Sequence, residues 1–251
     1  MPDPPVAAWL VRQSCDLLAL PNRVVCTALL FLHRVEATNA VDLVPKVIGI
    51  QGICAVKMLR LFTYLSCTSN TMRSHLFLVL QRLAAACIFL AAKVEETNLR
   101  TNDMLNAVEG VAAGAANGGG ISLSHFCCLV GGDYAAQKQR LILDEQLLLR
   151  HLRFDLVVEQ PHRHLYILAQ CWGASLQALR LAICLLNDAV CCCEAFGSAD
   201  MPPATAAAAA LHVGAQLCGQ GLYPHGWWRA VGISDDAMRA ACRALLDLLH
   251  A

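Results

Sequence analysis

Chemistry in a protein needs nucleophiles, acids and bases or metal ligands, and several side chains in this sequence could supply them. Fourteen cysteines invite zinc or disulfide chemistry, His162 and His164 invite metal ligation or proton transfer, and Trp227 and Trp228 invite a stacking platform. Each has a plainer reading. No two cysteines stand at the C-x-x-C spacing of a zinc site, and no cation neighbours the run Cys191, Cys192, Cys193 to lower a thiol pKa. Reduced, mostly buried thiols are expected, with no metal and no cofactor. The histidines follow Pro161, where a helix can start and where capping or packing accounts for them. The tryptophan pair is expected to seal the end of a core. The G-x-S-x-G, H-E-x-x-H, P-loop and dinucleotide fingerprints do not occur, so no catalytic residue is expected.

A different kind of chemistry sits at "AAACIFLAAKVEET", residues 84–97, where Lys93, Glu95 and Glu96 end an apolar run. The carbonyl end of a helix favours the lysine and disfavours each glutamate by roughly 0.3 to 1 kcal/mol. A second charge is placed just as awkwardly. Glu145 stands four residues after Leu141, three before Leu148, four before Leu149 and seven before Leu152, inside an apolar helical face. A buried carboxylate is strongly unfavourable unless it has a partner or lies at the edge of a contact surface. Lys93 and Glu145 therefore form a candidate pair drawn from two helices. Two readings stand: anchors that hydrogen-bond the backbone of another protein, and an internal salt bridge that holds two helices in register.

The elements that must position these side chains are helices. Apolar residues recur at spacings of three and four, and alternating β-branched runs are hard to find, so the expected fold class is all-α. In "LPNRVVCTALLFLHRVEA", Val24, Ala28, Leu32 and Val35 share a face after Pro21; residues 83–92 are apolar all round, as in a helix enclosed by others. The spacing predicts a helix beginning near Leu83, a Gly-rich surface connection over 112–120, and an amphipathic helix from about Tyr134 to Leu152. "VVEQPHRHL" carries the boundary between two repeats, 1–158 and 159–251. Four helices follow it, the last with Ser234 as N-cap and Asp235 and Asp236 in its first turn. "LAAACIFLAAK" and "TAAAAALHVGAQ" are both crowded with small residues, which lets surrounding helices approach closely. Each repeat is thus expected to be a bundle around one central helix; alanine runs from coding bias are the alternative.

Composition sets further bounds. The 251 residues suffice for one large or two small domains, and 57% hydrophobic against 15% charged residues excludes a disordered chain. No membrane span is expected, because the longest uncharged stretch, 201–228, is broken by prolines and glycines. The start, "MPDPPVAAWLVRQ", does not have the pattern of a signal peptide, and an intracellular protein is expected. With 19 basic and 19 acidic residues the formal charge is zero, which argues against sequence-tolerant DNA binding.

At Lys93 and Glu145 the sequence resembles the cyclin box. "AAACIFLAAKVEET" is similar to the signature around a lysine of that family, and "DEQLLLRHLRFDL" to a later helix in which a glutamate precedes a leucine-phenylalanine end. "LPNRVVCTALLFLHR" resembles the first cyclin-box helix, "PHRHL" the start of the second box, "LLND" a turn in its early helices, and "YPHGWWRAVGISDDAMRAACRALLDL" its tryptophan-containing end. The motifs occur in order between about Cys15 and Leu249 and look most like the transcriptional and splicing cyclins, the L type first, then K and T. The resemblance implies two tandem cyclin-box repeats and a regulatory, non-enzymatic subunit. It would bind and activate a cyclin-dependent protein kinase in RNA polymerase II transcription or pre-mRNA splicing, in the nucleus. It implies a kinase-contacting role for Lys93 and Glu145, with Glu96, Phe154 and Leu156 at matching neighbouring positions. A cyclin-fold general transcription factor of the B type shares the two-repeat plan, but would bring a basic DNA-facing surface and a zinc ribbon. Direct nucleic-acid or membrane partners are not expected.

Two departures accompany the resemblance. Residues 41–80 intervene where a cyclin has a short link and a helix start, and their composition shifts away from alanine, as in an insertion or a translated intron. The arginine-serine segment that follows the boxes in L-type members is not within these 251 residues.

Overall fold

The computed structural model describes residues 6–37, 70–116, 126, 128–192, 201–222 and 224–250. They divide into two compact units, Pro5–Val157 and Val158–Ala251. In the first unit the helices are α1 (Val6–Leu17), α2 (Asn22–Ala37), α3 (Asn70–Val94), α4 (Thr101–Ala116) and α5 (Gly131–His151). In the second they are α6 (Pro161–Cys171), α7 (Leu176–Cys192), α8 (Pro203–Leu217) and α9 (Asp235–His250), with a short 3-10 helix at Trp227–Val231.

In the first unit α3 is the hub, packed by α1, α2, α4 and α5. Its composition explains why. Ala84, Ala85, Ala86, Ala91 and Ala92 are all buried and, having little side chain, bring four neighbouring backbones close; Leu83, Ile88 and Leu90 fill the gaps between them. The stretch Phe77–Val94 is long and apolar enough to cross a membrane, but 56% of it is buried inside the fold, which accounts for its apolarity. On α2 the face predicted from spacing is the buried one: Val24, Ala28, Leu32 and Val35 are all inaccessible.

The helix boundaries differ from the sequence expectations in three places. The central helix begins at Asn70 and not near Leu83, so residues 70–80 of the segment 41–80 belong to it, and Leu80 is buried; residues 41–69 lie outside the described ones. The expected connection over 112–120 is helical as far as Ala116, because Val108, Val111 and Ala112 bury a continuous face that outweighs the glycine's helix cost of about 1 kcal/mol. Residues 117–120 are outside the described ones. α1 and α4 are elements the sequence reading did not pick out.

The second unit repeats the plan with α8 as hub, packed by α6, α7 and α9. Ala206 through Leu211 are fully buried. Gly214 marks the closest approach: a Cβ there would lie 2.9 Å from the Ala178 carbonyl oxygen and 3.0 Å from the Ala182 nitrogen of α7. The far end of the core is closed by Trp227, buried against the ring of Trp172 at 5.4 Å, while Trp228 donates its indole N–H to Asp235 at 2.9 Å. Ser234 caps α9 by accepting from the Ala237 amide at 3.2 Å. His162 packs at the start of α6, bonded to Asn187 of α7 at 2.8 Å, and residues 185–188, "LLND", form one turn of α7. Burial lowers the His162 pKa, with the Asn187 bond partly offsetting it.

Candidate functional site

The site is built where α3 and α5 end. On α3, Arg82, Ala86, Phe89 and Lys93 follow spacings of four, three and four, so they form one stripe along the helix. The eleven steps from Arg82 to Lys93 span about 16 Å at 1.5 Å per residue. Between these two cations lie two adjacent acids of α5, Asp144 and Glu145, whose side chains are each 11% exposed. Lys93 Nζ donates to both Glu145 oxygens, at 2.6 and 2.8 Å. Arg82 meets Asp144 in a two-point contact, Nε to Oδ2 at 2.8 Å and Nη2 to Oδ1, and this bond raises the arginine's pKa. The expected partner of Glu145 is therefore the one found, and the partner of Asp144 was not foreseen.

Lys93 is only half covered, its side chain 51% exposed. Its ammonium rests 4.1 Å from the centroid of the Phe89 ring, one helical turn back, which adds a cation–π contact and restrains the lysine's rotamers. An ammonium has three donors and two are used here, so the third is open to an acceptor from outside. On α5, Glu145 is flanked by Ile142, 41% exposed, and by half-buried Leu149. The pair thus lies at the border between the core and an accessible apolar stripe.

Both helices stop with left-handed backbone. After α3, the Thr97 amide donates to the Ala92 carbonyl at 2.8 Å and the Glu96 amide to Lys93 at 3.2 Å, which is a Schellman ending with Glu96 at φ +51°. Glu96 occupies a conformation that glycine takes freely and other residues take at a cost of about 1 to 2 kcal/mol. Glu95, next to it, is not simply a solvated acid: Thr27 of α2 donates to it at 2.6 Å and Arg23 approaches at 4.0 Å. After α5, the Phe154 amide donates to Leu149 at 2.9 Å and the Arg153 amide to Arg150 at 3.0 Å, again a Schellman ending. Here two consecutive residues are left-handed, Arg153 at φ +52° and Phe154 at φ +60°. Phe154 is 69% exposed, an unusual position for a phenylalanine, and Leu156 is partly exposed.

The structure brings Lys93 and Glu145 into contact, leaves Glu96 and Phe154 accessible on the turns that end the same two helices, and has Leu156 two residues beyond Phe154. Arg82, Asp144 and Thr27 complete the framework. So does Arg34 of α2, which donates to the carbonyls of Asp155 and Val157 at 3.0 and 2.7 Å. Their sequence signal was faint, because an arginine on a helix surface is ordinarily solvated. Among the described residues no group of three His, Cys, Asp or Glu side chains converges as metal ligands would.

The described residues thus form two helical units, each wrapped around an alanine-rich hub helix, with a charged pair near the C-terminal end of the first hub and left-handed turns after α3 and after α5. Residues 52–157 match the family model of the cyclin N-terminal domain. The chain is 25% identical to human cyclin-K over 177 residues, which is 65% of this chain and 28% of that protein. It is 22% identical to cyclin-T1-2 of Oryza sativa subsp. japonica over 246 residues, 96% of this chain and 32% of that protein. The chain thus spans about a third or less of the length of these relatives. Its fold is similar to that of a chain in the crystal structure of the yeast RNA Pol II CTD kinase CTDK-1 complex, with TM-score 0.58 and 14% identity over 96% of this chain and 63% of that one. These similarities all run to cyclins: the N-terminal domain model over residues 52–157 and both relatives.

Proposed function

We propose that this protein is a cyclin: a regulatory subunit, without catalysis of its own, that binds and activates the catalytic subunit of a cyclin-dependent protein kinase. We place its work in the nucleus, in RNA polymerase II transcription or pre-mRNA splicing. The observation that carries the reading is the Lys93–Glu145 pair, preformed and half open to solvent at the end of the hub helix. Similarity to cyclin-K, to a T-type cyclin and to a chain of a polymerase-CTD kinase complex supports the transcriptional assignment. The splicing alternative rests on the L-type resemblance of the motifs.

In this mechanism the chain supplies positions and not reactive groups. Lys93 uses its third donor on a main-chain carbonyl of the kinase's regulatory helix or the segment before it, and Glu145 accepts a further N–H with a remaining lone pair. Because the two side chains already hold each other, the ordering cost of about 0.5 to 1.5 kcal/mol per long side chain is met before docking. Phe154 and Leu156 provide the apolar contact, and Glu96 borders it from the turn after α3. A kinase helix with two arrangements moves to the active one only by as much as the cyclin prefers it; a shift from 1:99 to 99:1 requires about 5.5 kcal/mol of differential affinity. The kinase then carries out phosphoryl transfer with its own residues.

The test uses the full chain with a panel of recombinant cyclin-dependent kinase catalytic subunits and a polymerase C-terminal heptad peptide as phosphate acceptor. The expected result is that at least one kinase is bound and stimulated. Lys93→Ala combined with Glu145→Ala should weaken capture about tenfold or more while helical circular dichroism stays unchanged. Stimulation of no kinase, together with retention of promoter DNA, would replace this reading with the B-type transcription factor. Loss of helix in the double variant would reduce the pair to an internal strut.

A further inference from the structure

We infer that Arg34 is a positioning residue that fixes the turn presenting Phe154 and Leu156, an inference that rests on reading this turn as part of the kinase-contacting surface. An ordinary Schellman ending needs one left-handed residue, usually glycine. The turn after α5 has two in succession, Arg153 and Phe154, neither of them glycine, so its backbone is disposed to relax. Amide hydrogen bonds resist this from one side: Phe154 to Leu149 at 2.9 Å, Asp155 to Leu152 at 2.9 Å, and Val157 to the Asp155 carboxylate at 3.2 Å.

The carbonyl side of the turn is held from another helix. Nη1 of Arg34 donates to the Asp155 carbonyl at 3.0 Å and Nη2 to the Val157 carbonyl at 2.7 Å, while Nη1 also lies 3.8 Å from an Asp155 carboxylate oxygen. The two ends of one planar guanidinium therefore bracket Leu156, the residue between the two carbonyls. A lysine, with a single point of donation, cannot reproduce this fork. Arg34 is 121 and 123 residues from these partners in sequence, so it ties the C-terminal edge of the unit to α2 independently of the Lys93–Glu145 contact. Its side chain is 37% exposed, so its replacement leaves no hole in the core.

Amide hydrogen exchange on the full chain, without any partner, tests this directly. Arg34→Ala and Arg34→Lys are both expected to speed exchange at Phe154, Asp155 and Val157 about tenfold, with the amides of α3 unaffected. Adding Arg153→Gly to Arg34→Ala should recover much of the protection, because glycine removes part of the strain that the guanidinium opposes. With a catalytic subunit that the wild-type chain stimulates, Arg34→Ala should weaken binding about tenfold alone and little in a Phe154→Ala background. Unchanged exchange in Arg34→Ala overturns the inference, and so does acceleration that extends through α3, which would make Arg34 a general fold residue. Additive losses with Phe154→Ala also overturn it. If no kinase binds the wild-type chain, the functional proposal fails while the exchange result still decides the role of Arg34 in the turn.

Discussion

Cutting the Lys93–Glu145 pair from its two sides should give unequal results. Lys93→Met strips both hydrogen bonds, 2.6 and 2.8 Å, from a carboxylate whose side chain is only 11% exposed. Leaving such an acceptor unpaired costs about 1 to 3 kcal/mol, below the roughly 3 to 5 kcal/mol of a fully enclosed pair, because water reaches the half-exposed lysine position. Glu145→Leu does the opposite. It leaves an ammonium that rehydrates and puts an apolar side chain beside Leu141, Leu148 and Leu149, so the net change should lie within about 0.5 kcal/mol of zero. The double variant, Lys93→Met with Glu145→Leu, should also be near neutral, giving a coupling energy of about 1 to 3 kcal/mol. At roughly 2 to 4 °C per kcal/mol for a chain of this size, calorimetry should find Tm lowered by about 2 to 12 °C for Lys93→Met and by about 2 °C or less for the other two. If Glu145→Leu were as damaging as Lys93→Met, the carboxylate would not be the liability that the lysine relieves, and the reasoning would fail. The double variant has a further use: it keeps the fold but loses both polar anchors, so kinase capture should fall with it even though Tm does not.

Other perturbations probe the rest of the structure. Gly214→Ala forces a Cβ against backbone atoms of α7 and should destabilise the second unit by about 1 to 3 kcal/mol in urea titration. Gly132→Ala, in open space in the first turn of α5, should be neutral or stabilising by about 0.5 to 1 kcal/mol in the same assay. Burial first, then the nearby acid Asp16 or Glu95 respectively, pushes the Cys15 and Cys26 thiols up to about 12. Mass spectrometry after brief alkylation at pH 8 should therefore find Cys128, Cys171 and Cys184, which are exposed, modified while Cys15 and Cys26 are not. Asp235 is held down to about 2 by Arg229 and Trp228, and burial lowers the His162 pKa. Both groups bind protons less well in the folded state, so each contributes stability at higher pH. The urea midpoint of the second unit should fall as pH drops below about 6.5, and again from about 3.8 towards 2, the second step vanishing in Asp235→Asn.

The helical class and the hub role of the alanine-rich segments were legible because burial on all sides demands an apolar surface without periodicity, and that pattern stands out in one dimension. The partner of Glu145 was legible for a related reason, since an acid inside a leucine face requires a cation from elsewhere. Helix lengths were less legible. α3 extends back to Asn70 through residues whose composition differs from the alanine run, and α4 carries Gly114, a residue that ordinarily signals a break. The charged framework around the pair was not legible at all. Arg82 and Asp144 are 62 residues apart and Arg34 and Asp155 are 121, and nothing local distinguishes these arginines from solvated ones.

That framework answers a problem created by the hub itself. Alanine lets α5 approach α3 closely, but a smooth small-residue surface discriminates poorly between one register and the next, since sliding by a turn exchanges one alanine for another. The stripe on α3 removes this freedom. Asp144 and Glu145 are neighbours on α5, whereas their cations, Arg82 and Lys93, sit about 16 Å apart on α3 and reach toward the acids from opposite directions. A slide of one turn, about 5.4 Å, would move both acids toward one cation and away from the other, leaving a carboxylate unpaired. Ion pairs of this kind contribute more to choosing among arrangements than to net stability, because desolvation offsets much of their attraction. Register in turn decides where α5 ends relative to α3, and so how far Phe154 lies from Lys93 and Glu96. The salt-bridge and docking readings of the pair are therefore not rivals: the contact that locks the two helices would also set the spacing of the surface proposed to meet a partner.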